Sequence, residues 1–208
     1  MVLGRGLLVS VLLAAPGAQA WMEQWAPELK SRPAVVRKLP QKSVRVFAAA
    51  LEEEYCGVPY AEGGGIDLNG DGVEDFAFIV PWMGCGLNGS GYTIFFVVSD
   101  GKGGRTENVF SGYGAALSDL VNVGEKTYFR LSSIFDAFEK SRHNHWVFQL
   151  FEFDASGVAR CANSAFGTRF PAVTIFYENP KFRQIELTAS DRKKIEEQTK
   201  PTSRSYVP

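Results

Sequence analysis

From residue 66 to 187, short runs of aromatic and β-branched residues alternate with breaks rich in Gly and Asp, a pattern that predicts strands. The runs fall at 76–80, 92–99, 126–131, 146–153 and 173–177. Residues 92–98 are apolar at consecutive positions, so both faces of that strand need cover and it belongs at the centre of a sheet. Asp100-Gly101-Lys102-Gly103-Gly104 and Asp154-Ala155-Ser156-Gly157 are turn sequences and predict hairpins. The stretches 92–114 and 146–167 echo each other as aromatic strand, Asp-containing turn and second strand, which reads as related hairpins in one sheet or as coincidence. Before this region the pattern is helical. Val44, Phe47, Ala48, Leu51 and Tyr55 make one apolar stripe over 41–55, and Gly57 and Pro59 end it. Pro27, Pro33 and Pro40 confine residues 21–40 to short helical turns, around Trp25 and Val35. After 187 the chain turns polar: Thr188 and Asp191 form a capping-box pattern, and only Ala189 and Ile195 are apolar before Pro201. The expected fold is α+β, a helical N-terminal segment (21–57) packed on a mostly antiparallel, aromatic-rich sheet (58–187), followed by a loose tail (188–208).

The first twenty residues change the compartment. Arg5, the apolar run 7–15 and Ala18-Gln19-Ala20 have the layout of a signal peptide cleaved before Trp21, and the run is too short for a transmembrane helix. The mature chain would then be 188 of the 208 residues, one domain with a real core, carrying 21 basic and 23 acidic side chains. With 45% apolar residues over all 208 positions the protein is not a disordered chain, and without a basic surplus it is not expected to bind nucleic acid. No later stretch is apolar enough to span a membrane. The expected location is secreted or periplasmic. In an oxidising compartment the three cysteines, Cys56, Cys85 and Cys161, imply one disulfide and one thiol. Cys85 with Cys161 is the expected pair, and a bond from Cys56 to one of them is the alternative.

One segment carries chemistry. In Asp67-Leu68-Asn69-Gly70-Asp71-Gly72-Val73-Glu74-Asp75, oxygen-bearing side chains fall at loop positions one, three, five and nine, and Val73 offers its carbonyl at position seven. Calcium takes six to eight oxygen ligands, and three carboxylates crowded in one loop repel one another without a cation. The stretch resembles the Asp-x-Asn-x-Asp-Gly-x-x-Asp calcium loops of EF-hand-like proteins, dockerins and FG-GAP (integrin-type) propeller blades among them. Position twelve is Phe78 where an EF-hand has a bidentate Glu, and a strand-like run follows where an EF-hand has a helix, so the resemblance is to the FG-GAP kind. It implies a structural Ca2+ held by Asp67, Asn69, Asp71, Val73 and Asp75, with the affinity of an extracellular module, roughly 0.1–1 mM. The alternative is a metal-free turn, which the same residue types favour. The wider pattern, through Gly84-Cys85-Gly86 and an aromatic strand, is also similar to small exported bacterial proteins of unassigned function.

Other constellations are thinner. His143 and His145 alternate as zinc ligands on a strand do, but no third ligand accompanies them. Glu152 and Asp154 share a strand face, as a carboxylate pair for glycoside cleavage would. Ser90 is not in a nucleophile elbow, and Gly63-Gly64-Gly65 reads as slack before the metal loop. The expected function is an exported, calcium-stabilised binding module for a protein or cell-envelope partner. A small hydrolase with a structural calcium and a proteinaceous inhibitor are the alternatives.

Overall fold

A computed structural model describes residues 30–50, 61–81, 91–113, 115–175 and 185–206. The expected leader, the turn at Trp25, the end of the 41–55 helix, Cys56, Cys85 and Ser90 lie outside them. In chain order the strands are β1 (Arg32–Pro33), β2 (Arg37–Lys38), β3 (Glu62–Ile66), β4 (Asp75–Pro81), β5 (Gly91–Ser99), β6 (Arg105–Tyr113), β7 (Leu120–Val123), β8 (Lys126–Phe135), β9 (His145–Phe153), β10 (Ala159–Cys161), β11 (Ala172–Ile175) and β12 (Thr202–Ser205). Among the described residues two α-helices accompany them, α1 (Gln41–Ala50) and α2 (Ala189–Thr199). One sheet, A, runs β1-β7-β8-β9-β10, with β11 also on β9; the other, B, runs β12-β6-β5-β4-β3-β2. Every pairing is antiparallel.

This corrects the α+β expectation. The fold is two antiparallel sheets face to face, and the N-terminal part is not a helical layer on one sheet. Residues 31–39 are extended where a helical turn was expected, and Val35 is 90% exposed. The segment acts as a strap: β1 closes sheet A against β7, and three residues later β2 closes sheet B against β3. The proline spacing forbade a long helix but did not indicate strand pairing. Among the described residues of this part only α1 is helical, with Val44 and Phe47 against the outer face of sheet B and the Phe47 ring stacked on Phe78 at 3.6 Å.

The triple glycine is not slack either, because it lies inside β3. A Cβ on Gly63 would stand 2.7 Å from Val44 Cγ2, and one on Gly64 would overlap Val36 Cγ1. The missing side chains leave room for α1 on one face of β3 and for the strap on the other.

Alternation along the strands explains the long apolar runs. Ala77, Ile79, Ile94, Phe96, Val98 and Phe110 of sheet B meet Leu120, Phe129, Leu131, Phe151 and Phe153 of sheet A. Phe96, Phe110, Phe129, Phe151 and Phe153 contact one another edge to face or tilted, with ring centres 4.8–5.7 Å apart. The opposite faces are also covered, by α1 on sheet B and by Ala162, Phe166 and Phe170 on sheet A. β5 is central and buried on both faces, as its sequence predicts.

Sheet A runs on past sheet B. There the core-facing Phe135, Val147 and Val173 are covered by Leu187 and by Ile195 of α2. Thr188 and Asp191 make the expected capping box. Residues 188–206 are therefore not loose: Ile195 is fully buried and β12 pairs with β6. The two echoing hairpins separate, with 92–113 in sheet B and 146–161 in sheet A, and 163–169 forms a 3₁₀ turn rather than a strand. Among the described residues no helix is long and apolar enough to cross a membrane.

Candidate functional site

Residues 67–74 form the loop between β3 and β4. Its turn is built by side-chain oxygens that accept from its own backbone. Asp67 Oδ1 accepts from Gly70 N at 2.7 Å and Oδ2 from Gly72 N at 2.9 Å. Asn69 Oδ1 accepts from Asp71 N at 3.3 Å, and Asp71 Oδ1 from Val73 N at 2.8 Å. Gly70 and Gly72 have φ of +79° and +81°, a region that glycine enters without penalty. The Val73 N–H and the Ser99 hydroxyl hold the Asp71 carboxyl below the usual range.

Asp75 differs from the other loop oxygens. It opens β4, and β4 alternation points it inward on the face of Ala77 and Ile79, so it is fully buried. Its two oxygens accept from Leu68 N at 2.8 Å and Ser99 N at 2.7 Å, and Arg105 Nη1 stands 3.8 Å away. Burial raises its pKa to about 6 against these bonds, and the Asp71 charge pushes the same way. At neutral pH it remains mostly ionised, tying the loop to the end of β5. Asn69 Nδ2 adds a second tie, donating to Ser99 O at 3.0 Å.

The donor set can be tested against calcium on these contacts. Asp67 and Asn69 are half-buried and Asp71 and Val73 exposed, and each side-chain oxygen that accepts one bond here has a second lone pair. Those oxygens suit a hard cation. Both Asp75 oxygens are engaged by the backbone, and Arg105 already supplies positive charge there. Among the described residues, no three His, Cys, Asp or Glu side chains come together as a metal-binding group.

An open cleft of about 380 Å³ adjoins the loop, and Asp67, Asn69, Lys126, Glu152 and Asp154 line it. Lys126 donates to Glu152 at 3.1 Å. Asp154 builds the β9–β10 turn, where Oδ1 accepts from Ser156 N, Ser156 Oγ and Val158 N, and Oδ2 from Arg160 Nε. Burial alone would raise its pKa, but these bonds outweigh it and bring it to about 2. The group therefore stabilises the fold above pH 3.8, and that contribution is lost as pH falls through about 2. Asp154→Ala should lower stability at pH 6 by about 1 kcal/mol, with the deficit closing by pH 2; a deficit independent of pH in urea titrations would contradict this.

The two histidines part company. His145 is buried at the start of β9 and His143 is exposed. Cys161 is a free, exposed thiol at the end of β10, and its expected partner Cys85 lies outside the described residues. Sequence reasoning missed Arg105 and Ser99, which complete the Asp75 environment from the neighbouring hairpin. No protein-family model matches the chain, no curated protein is significantly similar to it, and no solved structure matches it.

Proposed function

We propose that the chain is an exported interaction module whose β3–β4 loop takes a structural calcium ion. The observation that carries this reading is the series of oxygens at Asp67, Asn69, Asp71 and the Val73 carbonyl in one exposed loop, above a buried carboxylate, Asp75, that feels the Asp71 charge. A cation at the loop relieves that repulsion, and water or a partner's oxygen completes a shell of six to eight. Asp75 fixes the loop from below. The ion stabilises the loop and performs no chemistry.

The cleft beside the loop supports binding over hydrolysis. Glycoside cleavage by a carboxylate pair requires one of the two protonated near neutral pH. Asp154 is held ionised by its turn, and Glu152 is paired with Lys126. An exported protein or cell-envelope component is the partner this reading calls for.

Calorimetry in calcium and in chelator tests it. For a dissociation constant near 0.3 mM, about 10 mM calcium adds roughly 2 kcal/mol of stability. That corresponds to a rise in Tm of about 4–8 °C for a domain of this size. Asp71→Ala should fold with the same Tm in both buffers. Identical melting of the unsubstituted protein with calcium and with chelator would end the calcium assignment.

A further inference from the structure

We propose that His145 is an acid-operated latch, whose neutral ring holds the 138–141 turn and α2 against the overhanging end of sheet A and whose protonation releases them. This goes beyond the calcium reading and does not depend on it, since the latch lies on the part of sheet A that α2 covers.

His145 is the first residue of β9, paired with Phe135 of β8 on one side and Ile175 of β11 on the other. It is fully buried, with its ring centre 4.8 Å from that of Phe138. Phe138 and Ser141 exchange backbone bonds of 2.8 and 3.0 Å, closing a tight turn around Glu139 and Lys140. His145 Nε2 lies 2.9 Å from Ser141 Oγ, so the ring fastens the turn to β9. Nδ1 is buried with no hydrogen-bond partner.

The same turn holds α2. Asp191 Oδ1 accepts from Glu139 N at 3.1 Å, and Lys194 Nζ donates to Ala137 O at 3.0 Å. Around them, Phe135, Phe138, Val147, Val173, Leu187 and Ile195 make an apolar box. A neutral imidazole tolerates this site, because one nitrogen bonds to Ser141 and the other can remain a bare lone pair. An imidazolium must bring a second N–H and a full charge into this buried apolar box, where burial outweighs the acceptor that the Phe135 carbonyl offers.

The charges facing the ring do not remove that conflict. Burial acts first, and His143 from the same loop acts with it; both disfavour the charged form. The Phe135 carbonyl on β8 and Asp191 on α2 act the other way and do not prevail. Asp191 is already engaged by Glu139 N, Thr188 N and Thr188 Oγ. Lys194 adds positive charge 5.9 Å from the Phe138 ring, and β11 presents only Ile175. Among the remaining charges of the turn region, Lys140 is paired outward with Glu186, and the side chains of Asp136, Glu139 and Arg142 are exposed.

The net effect is a depressed pKa in the closed state against about 6.5 when the ring reaches water. The latch is therefore fully effective above pH 6.5 and weakens as pH falls towards the closed-state pKa. Over that interval the open population grows up to about tenfold per pH unit.

The chain has two histidines, so two ring resonances follow both titrations by NMR, and His143→Asn identifies which is which. The expected result is a His145 titration below 6.5. Amide exchange at 138–141 and 191–195, corrected for the intrinsic rate, should rise up to about tenfold per unit between pH 6.5 and 5. His145→Gln should show exchange there that no longer varies with pH. A His145 ring titrating at or above 6.5, or corrected exchange that stays flat in the unsubstituted protein, would overturn the latch. Both of those readings are made on the natural sequence, so they stand even if the glutamine variant does not fold.

Discussion

Replacing Asn108 with leucine should lower stability by about 4 kcal/mol, the largest loss expected from a single side chain of similar size. Asn108 lies on β6, fully buried, on the face that meets sheet A. Its Nδ2 donates to Gly157 O at 2.7 Å, and its Oδ1 accepts from Ala159 N at 2.8 Å and from Ser203 Oγ at 2.7 Å. One amide thus joins β6 of sheet B, the β9–β10 turn of sheet A and β12. Leucine fills the volume and leaves a buried N–H and a buried C=O unsatisfied, each worth about 1–3 kcal/mol. Asn108→Asp retains the acceptor, removes the donor to Gly157 and adds a buried charge, so it should be no better tolerated near neutral pH. Urea denaturation measures both variants. A loss below about 1 kcal/mol for leucine would show that water replaces these bonds and that the amide does not join the sheets.

Gly64→Val should cost about 3 kcal/mol through overpacking at a site with no room. The new Cβ would overlap Val36 Cγ1 and lie 3.3 Å from Leu117 Cδ1, so the strap must lift from the sandwich. Gly64 opposes Ala77 of β4 on the core-facing side, and backbone movement away from Val36 would disturb that pair. The claim is specific to Val36. Adding Val36→Ala to Gly64→Val should restore part of the loss, although Val36→Ala alone destabilises. Additive effects of the two substitutions would mean that the damage lies in β3 itself and not in the contact.

These two positions show how much the sequence disclosed. Strands with continuous apolar runs were legible, β5 above all, because cover on both faces leaves a direct mark on composition. Gly64 was not. Its poor strand propensity reads as slack, and its use becomes visible only with Val36, twenty-eight positions away, in the same space. Asn108 was equally hidden, since it stands in the polar run Arg105-Thr106-Glu107-Asn108, which gives no sign of burial until the edge of the other sheet closes on it. The tail was misread for a related reason. α2 has few apolar residues, but it buries Asp191 and Thr199 through bonds to Glu139 N and Gln149, which no periodicity announces. In the candidate loop the oxygen series was plain. The inward turn of Asp75 was implicit in its alternation with Ala77 and Ile79, whereas Ser99 and Arg105 had to be found in space.

Asn108 and the strap sit on opposite long sides of the sandwich, which gives the molecule the construction of a bound book. The strap is the spine. Only Ala34, Val35 and Val36 separate β1 in one cover from β2 in the other, the shortest link between the sheets among the described residues. At the fore-edge β10 and β12 share no ladder, and side chains such as Asn108 keep the covers shut. Parting of the sheets at this edge therefore loads the Asn108 bonds and the short Lys200–Pro201 link from α2 to β12 first, beside Cys161 and Ser203, where a groove of about 640 Å³ already lies.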